Sequence, residues 1–132
     1  MSGTKNSMRT PLGRVRNHGA GGEGTGHFIA QRATAIALCL LAPWFVVSAA
    51  LALKGGNYLG VIDFLTQPVN AVGVVLLIVV GFYHMSIGMG EVINDYIARP
   101  LTKMLLLWLN NFALLAIGAG AVFAVLMVNF GV

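Results

Sequence analysis

Three long stretches of the chain carry no Asp, Glu, Lys or Arg: Ala33 to Leu53, Phe64 to Gly90 and Met104 to Val132. Each exceeds the roughly 20 residues that take a helix across about 30 Å of hydrocarbon. Helices satisfy their own backbone in lipid, so the pattern predicts an all-α integral membrane protein with three transmembrane helices. The spans are expected at about residues 29–53, 68–97 and 101–128. They form a three-span domain over 27–132, behind a polar, basic arm over 1–26. No internal repeat is visible.

The breaks between spans are marked by familiar residues. Pro43 falls inside the first span and is expected to kink it, as membrane helices tolerate. Lys54, Gly55, Gly56 and Asn57 form a stop-and-turn signal. Tyr58 to Gln67 reads as a short, mildly amphipathic link with Tyr58 and Phe64 at interface depth. Pro68 opens the second span, where a first-turn proline is tolerated, and the second span ends before Pro100. Trp108 lies near interface depth in the third.

The stretch from Gly19 to Gly26 is glycine-dense and expected to lack regular structure. Gly19, Gly21 and Gly24 formally fit a G-x-G-x-x-G pattern, but no strand precedes them, so a dinucleotide site is rejected. The small residues Ser48 to Ala52 imitate a signal-peptidase site. The long apolar run and the leader of over twenty residues before it favour a retained span instead.

Composition agrees with a membrane protein: 58% hydrophobic, 9% charged, mean hydropathy +0.84. The net charge of +4 is unevenly placed. Lys5, Arg9, Arg14, Arg16 and Arg32 precede or open the first span, and Arg99 and Lys103 lie between the second and third. Only Lys54, beside Asp63, falls between the first and second. The positive-inside rule puts the N-terminus on the cytoplasmic (or matrix) side and the C-terminus opposite. This asymmetry accounts for the basic balance, so no nucleic-acid partner is inferred. Cys39 is the single cysteine and is expected to be a packing residue within the first span.

The second span holds the chemistry. At about 100° per residue, Gly81, His84, Gly88, Glu91 and Asp95 form one stripe. An imidazole in hydrocarbon needs a partner that offsets its cost. Glycines one turn either side leave a recess where a porphyrin fits against the helix. They equally suit close approach of a neighbouring helix, with His84 bonding across the interface. Both readings stand at this point. If His84 is an axial haem ligand, His18 and His27 lie at another depth and cannot face it across the same porphyrin. The second ligand then comes from another chain, and the protein is part of a heteromeric helix bundle.

Asp95 and Tyr96 lie about 16 Å further along that helix. A phenol and a carboxylate there can orient a quinone carbonyl and relay protons, or serve as an interfacial tyrosine and a helix-end acid. Glu91, one turn deeper, is expected to face protein or water. Arg32 suits a haem propionate or a snorkelling anchor. Thr34 and Ser86 read as helix-packing hydroxyls.

Two runs then resemble a known family. Gln31, Arg32, Ala33, Thr34, Ala35, Ile36, Ala37 and Leu38 resemble the opening of the first span in the small hydrophobic membrane anchor subunit of succinate dehydrogenase (respiratory complex II). The run from His84 to Tyr96 is similar to the second-span signature of that family. It has a histidine, a glycine four positions on, and an Asp–Tyr pair eleven and twelve positions on. The resemblance covers roughly His27 to the C-terminus and does not extend to the glycine-rich arm.

It implies that His84 is an axial ligand of haem b shared with a cytochrome b556-type large anchor subunit. It implies that Tyr96 lines the ubiquinone site with Asp95 beside it, and that Arg32 lies near the haem propionates and quinone pocket. The implied role is a non-catalytic anchor that docks a flavoprotein and an iron–sulfur subunit in a bacterial inner membrane (a mitochondrial one less so), passing electrons from succinate to ubiquinone. A fumarate reductase anchor has the same architecture with the reaction reversed. A cofactor-free membrane scaffold is the alternative of another class. The lack of an acidic residue at mid-membrane argues against a proton-coupled carrier.

Overall fold

The computed structural model of the chain describes residues 22–53 and 58–131. Four helices follow one another: α1 over Gly22–Ala52, α2 over Tyr58–Thr66, α3 over Pro68–Tyr96 and α4 over Pro100–Phe130. The described residues are all-helical apart from short links, and α1, α3 and α4 are long and apolar enough to cross a membrane. At 31, 29 and 31 residues and 1.5 Å per residue, each outruns a 30 Å hydrocarbon layer. Their ends therefore reach the headgroup region or the helices tilt.

Proline sets the starts of α3 and α4. Gln67 and Arg99 are extended, as the residue before proline must be, and Pro68 and Pro100 each occupy the first turn. Lys103 Nζ donates to the Asn94 carbonyl at 2.7 Å, so a cation meets the negative end of α3. Gly131, at φ 71°, closes α4 in the left-handed conformation that favours glycine. Asn129 Nδ2 donates to the carbonyls of Leu65 at 3.0 Å and Thr66 at 3.2 Å, satisfying the end of α2.

The central helix is α3. It lies against both α1 and α4, whereas no Cα of α1 comes within 8 Å of one in α4. Contacts pair early residues of one helix with late residues of the next. Trp44 meets Gly73, Leu38 meets Gly81 and Gln31 meets Gly88 between α1 and α3; Phe82 meets Gly118 and Leu107 meets Gly90 between α3 and α4. Neighbours are thus antiparallel, and glycines mark their close approaches, as lipid-embedded helices need small residues to pack. The Trp44 ring occupies the space a Cβ on Gly73 would take. Gly73→Ala is expected to destabilise the fold by about 1–3 kcal/mol, as overpacking does. Thermal unfolding of the purified complex checks it, and an unchanged melting point would mean the ring swings aside freely.

Little of the chain is interior. Phe64 of α2, Ala71 and Val74 of α3 and Val125 of α4 form a small buried cluster, with Phe45 edge-on to Phe64 at 6.4 Å between ring centroids. Leu40 at 71% and Leu115 at 69% exposed typify the outward faces. An apolar surface of that extent belongs against lipid or other helices.

Several expectations are revised. The glycine-dense stretch is helical from Gly22, because extending a formed helix adds one hydrogen bond per residue without a new nucleus. Of the two aromatics read at interface depth, Phe64 also packs against the chain's own helices and is buried, while Tyr58 is exposed. Cys39 is free and exposed on the outward side of α1, so it does not pack this chain's interior. The arm before residue 22, with His18, and the turn at Lys54 to Asn57 lie outside the described residues.

Candidate functional site

A groove of about 760 Å³ opens between the first half of α1 and the second half of α3. Because the helices are antiparallel, the start of one faces the end of the other. His27, Gln31 and Arg32 from α1 line it with His84, Gly88 and Glu91 from α3. Three members of the His84 stripe therefore share one concave surface. Gly88 lets α1 approach closely: a Cβ there would sit 3.4 Å from Gln31 Nε2. Gly81 does not line the groove; its missing Cβ faces Leu38 at 3.9 Å, an ordinary packing contact.

His84 is half-buried, and its Nδ1 lies 2.8 Å from Thr34 Oγ1. The same hydroxyl reaches back to the Ala30 carbonyl at 2.7 Å and the Gln31 carbonyl at 3.1 Å. Thr34, expected only to pack, thus holds the histidine. Nε2 of His84 has no hydrogen-bond partner among the described residues. One turn toward the arm, the Gln31 side-chain oxygen is buried without a partner, a costly state that a bound group or water would relieve.

The groove is cationic at its α1 edge. Arg32 is exposed, its guanidinium 5.2 Å above the Phe28 ring, a cation–π geometry that aims the charge without removing it from solvent. His27 Nδ1 lies 4.0 Å from Glu91 Oε1, both side chains largely exposed, so this pair adds little to stability. His27 is seven residues from Thr34, as Glu91 is from His84. His27 therefore shares the groove with His84 but stands about two turns, roughly 10 Å, away along it.

Arg32 and His84 are brought together. Asp95 and Tyr96 are not: both are exposed at the last turn of α3, outside the groove, and Tyr96 is 81% exposed. Among the described residues no three His, Cys, Asp or Glu side chains converge. A bare metal ion would find too few ligands, whereas a porphyrin brings four nitrogens of its own and asks the protein for one or two. A lone imidazole nitrogen in a groove that also holds an arginine fits that donor set. Gln31, Thr34 and His27 were missed as site residues. The seven-residue spacing to Glu91 and His84 on an antiparallel partner was the available signal, but the register is invisible in one helix alone.

The chain matches a family described as succinate dehydrogenase/fumarate reductase transmembrane subunit over residues 6–128. It is 31% identical over 113 residues to the succinate dehydrogenase hydrophobic membrane anchor subunit of Rickettsia bellii, covering 85% of this chain and 90% of that one. The subunit of the same name from Paracoccus denitrificans is 29% identical over 122 residues, covering 92% and 93%. No solved structure matches.

Proposed function

The chain belongs to the succinate dehydrogenase/fumarate reductase transmembrane subunit family, and we propose that it is the anchor that couples succinate oxidation to ubiquinone in a bacterial inner membrane. In this reading the anchor is not catalytic alone. It holds a flavoprotein and an iron–sulfur subunit at the cytoplasmic face, where the basic arm and the Arg99–Lys103 link lie by the positive-inside rule. Beside it, a cytochrome-type anchor subunit completes the groove.

The observation that carries the proposal is His84: an imidazole at mid-span whose Nε2 has no partner among the described residues, in a groove shared with Arg32. Haem b, if bound there, would supply one-electron redox chemistry. His84 would offer Nε2 to the iron, and Arg32 would bind a propionate by charge-assisted hydrogen bonds. Tyr96 and Asp95, at the membrane boundary, orient the quinone and exchange protons with water. The phenol donates to a carbonyl oxygen, and the carboxylate accepts and passes protons.

Deleting this chain from cells that make the other subunits tests the reading. Succinate-driven ubiquinone reduction in membranes is expected to be lost, while succinate-driven reduction of a soluble dye persists in the aqueous fraction. Full quinone reduction by membranes lacking the chain would overturn the assignment.

A further inference from the structure

We propose that Thr34 is a positioning residue that fixes the tautomer of His84, holding the proton on Nδ1 and presenting the Nε2 lone pair to the haem iron. The inference rests on the haem reading above and goes beyond it, to a residue that does not touch the cofactor.

Proton counting carries the argument. Thr34 Oγ1 lies 2.7 Å from the Ala30 carbonyl, 3.1 Å from the Gln31 carbonyl and 2.8 Å from His84 Nδ1. A hydroxyl has one hydrogen and two acceptor lone pairs, and a carbonyl has no hydrogen to give. Were the hydroxyl hydrogen directed at Nδ1, two oxygens would face each other at 2.7 Å with nothing between them. Only one arrangement puts a hydrogen in both close contacts: the hydroxyl donates to Ala30, and Nδ1–H donates to the hydroxyl. In neutral imidazole the second nitrogen is then unprotonated. Nε2, which has no partner among the described residues, is the free ligand atom.

The back-bond to Ala30 comes from the helix itself, since residues four apart stand one above the other. A threonine hydroxyl so anchored has a fixed orientation, and its χ1 is stiffened by β-branching. The acceptor presented to Nδ1 is therefore preset before haem arrives. A hydrogen bond accepted from Nδ1–H also strengthens electron donation from Nε2 to a bound metal. Loss of such an outer partner typically weakens metal binding by about 10–100-fold.

Two variants and one direct measurement separate the possibilities. In the assembled complex, Thr34→Val keeps the shape and removes the acceptor, while Thr34→Ser keeps the hydroxyl. Transfer of haem to an excess of apo-haem scavenger is expected to be about 10–100-fold easier in Thr34→Val. The ferric low-spin signal should shift and the midpoint potential rise, because the ligand becomes a weaker donor. Thr34→Ser restores wild-type behaviour on all three readouts. Nitrogen-labelled histidine in the full chain in detergent, before haem is added, should show the His84 signal protonated at Nδ1 and bare at Nε2; its absence from His84→Ala identifies it. Protonation at Nε2 in the wild type, or a haem-loaded Thr34→Val with wild-type retention and spectrum, overturns the inference. A wild-type complex without haem, or a His84→Ala complex with an unaltered haem, overturns the haem reading itself.

Discussion

Replacing His84 by alanine is expected to abolish or shift the b-type haem signal of the complex while leaving the subunits assembled. The separation of these effects follows from the local bonding. His84 has one hydrogen-bond partner among the described residues, Thr34. Truncation leaves that hydroxyl still donating to the Ala30 carbonyl at 2.7 Å, so no buried donor is stranded. The cost to the apoprotein is one neutral hydrogen bond, about 1 kcal/mol, plus a cavity that opens into an existing groove. Loss of an axial ligand is a larger event, because the described part of the chain gathers no other imidazole at that depth. A dithionite-reduced minus oxidised spectrum of the detergent-purified complex, wild type beside variant, reads it. Identical spectra would make His84 a packing residue and leave the chain a scaffold.

Tyr96→Phe is expected to lower succinate-driven quinone reduction by roughly 100-fold, the low end of what a positioned proton donor contributes, with the haem spectrum retained. Tyr96 is 81% exposed, and its phenol makes no hydrogen bond among the described residues. Removing it should change stability by no more than about 0.5 kcal/mol, as for other surface positions. Twelve residues of helix, about 18 Å, separate it from His84, so the spectrum serves as an internal control. If Tyr96 orients a quinone as proposed, its exposure leaves the rest of that pocket to be built by partner subunits. Ubiquinone reduction assays with dye reduction alongside decide it, and unchanged quinone reduction would remove Tyr96 from the site.

The parts legible in the sequence were those written along one helix. Three helices long and apolar enough to span followed from the absence of charge over stretches longer than a bilayer, and Pro68 and Pro100 open two of them as read. The stripe on the second span placed His84, Gly88 and Glu91 on one surface because 3.6-residue periodicity holds within a helix. The same periodicity could not say that Asp95 lies off the groove, since the other wall of the groove belongs to α1, a different segment. Nor could it pair Thr34 with His84, fifty residues apart. Register between helices is set by close approaches such as Trp44 on Gly73, which appear only when both surfaces are present. Burial of Phe64 was hidden for a like reason: its neighbours Ala71, Val74 and Val125 lie on α3 and α4.

Ser86, Asn110 and Asn111 carry a last consequence, for how the protein is made. Ser86 Oγ donates to Asn111 Oδ1 at 2.8 Å, and Asn110 Nδ2 donates to the Ser86 carbonyl at 3.1 Å. Residues 110 and 111 stand about 15 Å into α4, near the middle of the bilayer, where amides are poorly solvated. A lone α4 leaving the translocon would carry both amides into lipid with only each other, at 3.4 Å, as side-chain partners. Joined to α3 by only Ile97, Ala98 and Arg99, it has its partner one short link away. The third span is therefore built to partition into the bilayer as half of a hairpin, its polar groups answered by the segment synthesised just before it.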